Sequence, residues 1–291
     1  DTIVRRGTLQ LSAATPAVGR GVAGVANNPI IVGDSQTGAN NWNVTIIMPD
    51  GVDVGRTVHV VDTGSSVKPE VSLAGGAGSR TFELILDTDI SLRHTSPGNK
   101  GLLAGFVSGV GGFERTGGTE ILQVGNVTNA FSGDVSITYG RVNMYLDGTN
   151  NAFGKGETPV VINSFGGNVT RGLLTSGSGT FSRAIELASG TKSTSQAITI
   201  GPTDSGTVVF SGDMVMETPD PVSFSAANNG SVEFSGVISG DSPVIQSAGH
   251  TGSGNRICLS NPNNTFIGQL KVGAGLFFVG ANAPRGGPGA L

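Results

Sequence analysis

The sequence predicts an all-β fold, and more specifically a right-handed parallel β-helix, or β-solenoid. Three observations lead to this prediction: short β-branched runs, turn residues between them, and a long internal repeat. Gly accounts for 48 of the 291 residues and aromatic residues for only 5%. Large side chains that could fill a broad core are therefore scarce, and we expect a narrow core built from Val, Ile, Leu and a few Phe.

Apolar runs of four or five residues recur along the whole chain and are rich in β-branched residues, which favours strands. Gly, Asn and Asp pairs between the runs supply the backbone conformations that turns need. Helical periodicity is absent, so we expect short strands joined by turns. The clearest predicted strands are residues 44–48, 57–61, 82–86, 134–138, 197–200 and 207–210.

Two blocks of sequence occur twice. Asn129-Ala-Phe131-Ser-Gly133 returns as Asn264-Thr-Phe266-Ile-Gly268, a spacing of 135 residues (266 − 131). Val107-Ser-Gly109 returns as Ile238-Ser-Gly240, a spacing of 131 (240 − 109). A repeat of this kind is the signature of an array in which each unit stacks on the next.

A third match pairs residues 7–11 with residues 140–144, which lie 133 positions later (140 − 7). We therefore expect one continuous solenoid over residues 1–291, with units at 7–139 and 140–274 and the start of a third at 275–291. Since residue 291 falls within a repeat, we also expect the chain to be a piece of a longer protein. Parallel strands joined by long wraps should coil right-handedly.

Two other fold classes compete with the solenoid. Disorder is common in Gly-rich chains, but 37% hydrophobic residues in β-branched runs argue against it. A β-sandwich or antiparallel barrel would need regular two-residue Asn-Gly or Asp-Gly hairpin loops, and this chain has few of them.

The repeated blocks resemble the autotransporter-associated β-strand repeat, also called the passenger-associated transport repeat, of bacterial type V secreted proteins. The residues that carry the resemblance are residues 107–117, 121–125, 129–133 and 140–142, and in the second copy 237–240, 257–260, 264–268 and 275. The match is weaker over residues 1–105. The resemblance implies a right-handed β-helix that is displayed on, or released from, a bacterial surface.

The sequence predicts no catalytic, cofactor-binding or metal-binding residue and no cofactor. The densest titratable patch runs from Asp87 through Asp89 to His94, where alternation could place both carboxylates on one face, as in sugar-cleaving β-helices. A solvated strand face followed by a turn is the alternative explanation, and we favour it. The single cysteine, Cys258, excludes an internal disulfide framework, and we expect it to behave as a small hydrophobic residue.

Charge and hydropathy restrict the partners. The formal charge is −4, and the 17 Lys and Arg residues form no basic stripe, so we expect no nucleic-acid partner. No stretch of 18 apolar residues occurs, so we expect no membrane insertion within this segment. The expected partners are other copies joined end to end, further repeats of the same chain, or a glycan or protein of a host or matrix.

These observations predict a non-catalytic, extracellular structural or adhesive rod of a bacterial cell surface. Assembly into filaments and a monomeric rod both stay open at this point. The alternative is a β-helix protein that binds or cleaves carbohydrate. Trp42 bears on the alternative, since a tryptophan can stack on a sugar, although it could equally shield an edge of the solenoid.

Overall fold

The computed structural model of the chain contains parallel β-strands stacked in successive turns. The structure describes residues 2–11, 29–51, 56–76, 78–95, 100–163, 170–190, 197–227, 229–249, 255–272 and 276–279. The chain forms two compact units, one comprising Asp1–Val135 with Ala152–Gly156 and the other Ser136–Asn151 with Glu157–Leu291. They are called unit 1 and unit 2 below, and each is described by itself.

Unit 1 consists of short strands and one short helix. The strands are β1 (Thr2–Val4), β2 (Gly7–Gln10), β3 (Ile30–Val32), β4 (Val44–Met48), β5 (Val58–Val60), β6 (Glu70–Leu73), β7 (Ser79–Arg80), β8 (Leu84–Leu86), β9 (Ile90–His94), β10 (Gly101–Leu103), β11 (Val107–Gly109), β12 (Phe113–Gly117), β13 (Ile121–Val124) and β14 (Ala130–Phe131). The next strand, β15 (Val135–Ile137), includes residues of both units.

The strands of unit 1 pair in three parallel ladders. One ladder runs β1, β3, β5, β8, β11, β14, the second runs β2, β4, β6, β9, β12, and the third runs β7, β10, β13. Each turn of the solenoid contributes one strand to a ladder. Register partners are 28 residues apart between Ile30 and Val58 and 22 apart between Ser108 and Ala130.

The core of unit 1 follows from the alternation of residues in each strand. Successive side chains point to opposite faces, so every second residue faces inward and stacks on its register partner in the next turn. Ile30, Val58, Leu84 and Val107 form one such stack, and each is at most 3% exposed. Burial of a side chain of this size contributes about 1.5–3 kcal/mol.

The only helix in the described residues is α1 (Ser35–Ala39). Asp34 caps it, because its carboxylate accepts hydrogen bonds from the backbone N–H groups of Gln36 and Thr37 at 3.0 and 3.1 Å. The Thr37 hydroxyl donates to the carbonyl of Arg5 at 2.7 Å and so ties the helix to the preceding turn. The helix therefore occupies a corner between β3 and β4.

Unit 2 also consists of strands. They are β16 (Arg141–Gly148), β17 (Asn150–Asn151), β18 (Val160–Asn163), β19 (Arg171–Phe181), β20 (Ile185–Ala188), β21 (Ile198–Pro202), β22 (Thr207–Phe210), β23 (Met214–Met216), β24 (Val222–Ala226), β25 (Ser231–Phe234), β26 (Ile238–Gly249), β27 (Arg256–Leu259), β28 (Ile267–Lys271) and β29 (Leu276–Val279).

Three parallel ladders again organise unit 2. The first ladder runs β18, β20, β23, β26. The second runs β16, β19, β21, β24, β26, β28, and the third runs β19, β22, β25, β27, β29. The long strands β19 and β26 take part in two ladders each because they continue through a corner. Within the described residues, the one antiparallel pairing is the small hairpin of β16 and β17.

Aromatic side chains stack along the third ladder of unit 2. Phe181, Phe210 and Phe234 are register partners, with ring centroids 6.0 and 5.2 Å apart. Phe224, from the neighbouring ladder, lies 4.2 Å from the Phe234 ring. All four rings are buried, so they provide the bulk that the smaller inward residues do not.

The prediction of an all-β parallel solenoid is confirmed. Strands β4 and β22 coincide with the predicted residues 44–48 and 207–210, and the other four predicted strands overlap β5, β8, β15 and β21. The proposed unit boundaries at 139/140 and 274/275 stay predictions. Residues 280–291 of the expected third unit lie outside the described residues.

Candidate functional site

The two carboxylates that the sequence singled out do not converge. Asp87 and Asp89 lie in the bend between β8 and β9. The Asp87 carboxylate is 2.8 Å from the Nε2 atom of His59, whereas the Asp89 carboxylate accepts a hydrogen bond from the backbone N–H of Gly112 at 2.7 Å. Each acid therefore binds a different neighbouring turn. Both side chains stabilise the corner, and they do not share a partner.

His94, the histidine of the same patch, points into the core. It is 1% exposed and is the register partner of Leu73 in the ladder of β6 and β9. Its Nδ1 atom lies 2.9 Å from the carbonyl oxygen of Leu73. The patch from Asp87 to His94 thus separates into two surface carboxylates and a buried imidazole.

Trp42 lies at the corner between α1 and β4, where it is half-buried. The Arg6 guanidinium sits over its ring, 5.5 Å from the ring centroid, in a cation–π contact. The neighbouring Arg5 forms an ion pair with Asp34. Both arginines that separate β1 from β2 are therefore bound to groups of the following turn.

Arg5 also affects the acidity of its partner. The hydrogen bond from Arg5 holds the pKa of Asp34 below its ordinary value, and the backbone N–H groups of Thr37 and Gln36 act in the same direction. The charged form of Asp34 is the one that caps α1, so the ion pair and the cap favour the same protonation state.

Buried guanidinium groups are the feature that sequence reasoning missed. Arg80 and Arg115 are fully buried in unit 1. The Arg80 guanidinium donates to the carbonyl oxygens of Ala74, Gly76 and Gly78 at 2.6–3.2 Å, and so closes the loop before its own strand. Burial lowers the pKa of Arg80, and the nearby Asp50 opposes this shift.

Arg115 acts in a similar way at a later corner. Its Nη2 atom donates to the carbonyl oxygens of Gly118 and Glu120 at 2.9 and 3.3 Å. The strand alternation gives a sequence signal for this burial, because Phe113 and Arg115 have the same parity and both face inward. Residue type argued against it, because arginine is rarely buried unless it is paired.

Arg171 of unit 2 forms a buried ion pair. Its Nη1 atom is 3.5 Å from the Asp220 carboxylate, and both side chains are at most 1% exposed. Burial lowers the pKa of Arg171, while the negative charge of Asp220 counteracts part of the shift. A buried pair of this kind is weak evidence for stability, but loss of one partner would leave an uncompensated charge.

The two copies of the repeated block share one capping hydrogen bond. Asn129 accepts a hydrogen bond from the Val107 N–H through Oδ1 at 2.8 Å, and Asn264 accepts one from the Ile238 N–H at 2.8 Å. In both copies, therefore, the asparagine side chain caps the start of the strand in the preceding turn. The phenylalanine two residues after each asparagine is buried.

The glycine two residues after each capped amide also matches. Gly109 has φ +109° and Gly240 has φ +97°. A Cβ atom on Gly109 would lie 2.1 Å from the carbonyl oxygen of Leu86, and one on Gly240 would lie 2.3 Å from that of Met216. Backbone from the preceding turn thus approaches too closely for any side chain at these positions.

Metal-binding clusters and membrane-spanning helices are both absent from the described part of the chain. There, no three His, Cys, Asp or Glu side chains lie together in a way that could hold a metal ion. No helix in those ranges is long and apolar enough to cross a bilayer.

Comparisons with known proteins give no match: no family model matches the sequence, and no curated protein or solved structure is significantly similar to the chain.

Proposed function

We propose that this chain is a non-catalytic structural or adhesive part of a bacterial cell surface, built as a parallel β-solenoid that assembles into filaments. The observation that carries the proposal is that the buried and half-buried polar side chains bind the backbone of the protein itself. Arg80, Arg115, Asn129, Asn264 and Asp89 each hydrogen-bond to backbone groups at corners or between turns.

The sequence resemblance supports an extracellular setting. Passenger-associated repeats belong to type V secreted proteins, and the repeated geometry around Asn129 and Asn264 is compatible with a passenger-like solenoid. A structural role also suits the composition, since stacking gives an extended surface from small residues without a large core.

The direct test is the location of the protein on intact cells of the organism that makes it. Antibodies against the purified chain would be applied to intact and to permeabilised cells, followed by immunogold electron microscopy. We expect label on the surface of intact cells, and loss of this label after brief external proteolysis. Label that is confined to permeabilised cells would overturn the proposal.

Carbohydrate binding is the second candidate function, and Trp42 is the residue that favours it. The ring is half-buried beside the exposed Asn40 and Asn41, so an aromatic surface and amide groups lie together. Arg6 already contacts the ring, which reduces the surface left for a sugar. A glycan array with the natural chain and Trp42→Ala would decide the matter, because binding that depends on Trp42 would favour this function.

Carbohydrate cleavage is tested separately through the two carboxylates. The purified chain would be incubated with a panel of bacterial and host polysaccharides, with Asp87→Asn and Asp89→Asn as matched variants. We expect no release of reducing or unsaturated ends from any substrate. Release that either substitution abolishes would make the protein an enzyme.

A further inference from the structure

The sequence contains five Asn-x-Ser/Thr sequons, which are the acceptor pattern for N-linked glycans. They begin at Asn43, Asn126, Asn168, Asn229 and Asn263. Asn168 lies outside the described residues. A sequon accepts a sugar only where an enzyme can reach both the asparagine and the hydroxyl residue, so the geometry of the other four decides which can be used.

Two of the sequons run into paired strands. Thr45 of the first sequon lies in β4, between β2 and β6. Ser231 of the Asn229 sequon lies in β25, between β22 and β27, and its hydroxyl donates to Thr207 at 3.1 Å. Strands that are paired on both sides leave an enzyme little room to surround the acceptor, whereas loops are accessible. These two sequons are therefore poor acceptors.

The Asn126 sequon occupies the corner between β13 and β14. The Oδ1 atom of Asn126 accepts hydrogen bonds from the backbone N–H of Thr128 at 2.9 Å and from its hydroxyl at 2.7 Å. An asparagine that bonds the backbone two residues on forms a turn. Thr128 is exposed, and the backbone N–H of Asn129 donates to the Asn126 carbonyl at 3.3 Å. The corner thus holds the asparagine and the threonine of the sequon together at the surface.

The amide nitrogen of Asn126 is free to react. In the described part of the chain, its Nδ2 atom makes no hydrogen bond and is not buried. Asn261 holds the same position in the second copy, 135 residues later (261 − 126), and accepts from the Asn263 N–H at 2.9 Å. Its Nδ2 donates to the Ser235 carbonyl at 2.8 Å, and Pro262 follows it. The amide nitrogen is therefore bonded in the copy that has no sequon at this position and free in the copy that has one.

The contact with Thr128 also prepares the amide of Asn126 for reaction. A carboxamide nitrogen is a weak nucleophile, because its lone pair is delocalised towards the oxygen. A hydroxyl that donates to that oxygen makes the N–H groups more acidic. The nitrogen then loses a proton more readily as it forms a new bond.

We propose that Asn126 is a site of N-glycosylation, with a sugar diphosphate as the donor and a glycosyltransferase as the partner. The Nδ2 atom attacks the anomeric carbon of the sugar and forms a C–N bond. The bond from that carbon to the diphosphate breaks, its electron pair leaves with the diphosphate oxygen, and one Nδ2 proton is released. The inference rests on the proposed extracellular function, because N-linked glycans are carried by exported proteins.

Asn263 provides a comparison within the same chain. Asn263 and Thr265 are both exposed, so this sequon can also be reached. Among the described residues, however, no hydrogen bond joins their side chains. The backbone N–H of Asn263 donates to Asn261, and that of Thr265 donates to the Ile238 carbonyl. The two sequons share their exposure and differ in the contact between asparagine and threonine.

The first measurement is glycopeptide mass spectrometry of the protein purified from the cells that make it. Trypsin cuts after Arg115 and Arg141, and the peptide of residues 116–141 contains Asn126 as its only sequon. We expect this peptide to carry the added mass of at least one sugar on Asn126. A native protein in which Asn126 carries no sugar would overturn the inference.

Three variants made in the same cells show which groups are needed. Asn126→Asp keeps the oxygen that binds Thr128 and lacks the amide nitrogen. Thr128→Val keeps the backbone N–H and lacks the hydroxyl, whereas Thr128→Ser keeps both. We expect the first two to lose the sugar, Thr128→Ser to keep it, and all three to have unchanged circular dichroism. Sugar that stays on the same peptide of Asn126→Asp would belong to another residue and would contradict the inference.

The contribution of the fold is measured with the purified chain, UDP-glucose and a soluble N-glycosyltransferase that recognises Asn-x-Thr. The ratio of the rate at Asn126 to the rate at Asn263 is determined for the folded protein and for its tryptic digest. We expect this ratio to be about fivefold higher in the folded protein, which is the factor that one net hydrogen bond supplies. An equal ratio in the digest would refute the role given to the Thr128 contact.

Surface labelling of intact cells separates failure of this inference from failure of the proposed function. A protein that is found on the cell surface without a sugar on Asn126 would keep the structural or adhesive role and lose the site. A protein that carries the sugar but is labelled only in permeabilised cells would keep the site and lose the proposed setting.

Discussion

The glycines two residues after the capped amides show how closely successive turns approach. At Gly109 both the positive φ and the Leu86 carbonyl exclude a side chain, whereas Gly64 has φ +67° and no atom within 4 Å of the point that a Cβ would occupy. Comparing a substitution at Gly64 with one at Gly109 therefore separates the cost of a left-handed backbone from the cost of close contact between turns.

We predict that Gly64→Ala lowers the free energy of unfolding by about 1–2 kcal/mol, the strain of a left-handed residue. Gly109→Ala should lower it by a further amount of about 1–3 kcal/mol, because the methyl group overlaps the Leu86 carbonyl. Urea denaturation of both variants measures the difference. Equal losses would show that the turns can separate at this point without penalty.

Cys258 offers a second prediction at this scale. Burial raises the pKa of its thiol, and the negative charge of Glu233 on the neighbouring strand raises it further. We expect the alkylation rate with iodoacetamide to reach half its maximum at a higher pH in the folded protein than in urea. Glu233→Gln should move this pH downward. Identical profiles for folded and unfolded protein would contradict the prediction.

Individual inward residues could largely be predicted from the alternation in the sequence, as the stack of Ile30, Val58 and Leu84 shows. The buried arginines could not, because strand parity and residue type give opposite predictions for Arg115 and Arg171. The burial of Arg115 depends on how the following turn directs the carbonyl groups of Gly118 and Glu120, which residue type does not reveal. Arg171 depends on Asp220, which lies 49 residues away and becomes its neighbour only after the chain has coiled.

At the scale of the strand, each asparagine cap holds the start of one strand against the following turn. Asn129 makes two buried hydrogen bonds, accepting from the Val107 N–H and donating through Nδ2 to the Ala152 carbonyl at 2.8 Å. Asn264 accepts from the Ile238 N–H, but its Nδ2 has no partner among the described residues. The two caps therefore differ by one hydrogen bond.

We predict that Asn129→Ala is more destabilising than Asn264→Ala, since it leaves two buried backbone groups unsatisfied rather than one. Each such group costs about 1–3 kcal/mol. Denaturant unfolding of both variants tests the order. Asn264→Ala is the matched comparison, because it removes the same kind of acceptor, from the Ile238 N–H, and no bonded donor. Equal effects of the two alanine variants would show that the Ala152 bond contributes nothing.

Strands were predictable and corners were not. The runs at residues 44–48 and 207–210 are strands because β-branched residues suit a pleated surface. Helix α1 escaped prediction, since five residues are too few for a periodic pattern and the helix depends on the Asp34 cap. Asp87 and Asp89 likewise belong to a bend, where the strand alternation no longer determines their direction.

At the scale of the whole molecule, a solenoid derives its stability from contacts between adjacent turns. An inner turn is covered on both sides, while an end turn is covered on one. In unit 1, the amides of Val58 and Leu84 donate to Glu83 and Phe106 at 2.7 and 2.9 Å and lie in turns that are covered on both sides.

We predict that hydrogen exchange in dilute protein is slowest for inner amides such as Val58 and Leu84. The amides of Ile3, Thr8 and Gln10 should exchange with little protection, because they point away from β3 and β4, the only strands that pair with β1 and β2 in the described ranges. Exchange followed by nuclear magnetic resonance resolves these positions. Uniform protection along unit 1 would mean that it opens only as a whole.

The fold class could be predicted at this scale because the repeat and the scarcity of large side chains both require a narrow, stacked core. The function of the surface could not be derived in the same way. A carboxylate pair in sequence does not determine whether two acids share a partner, and Asp87 and Asp89 bind different turns.

The hairpin of β16 and β17 has a practical consequence. Residues 147–150 are exposed, and the antiparallel pairing of Leu146 with Asn151 returns the chain to the point where it left the coil. A peptide inserted after Gly148 would project into solvent while the ladder of β16 and β19 keeps its register. This tip is therefore the place for an epitope tag or a fluorophore with which to count copies of the protein on single cells.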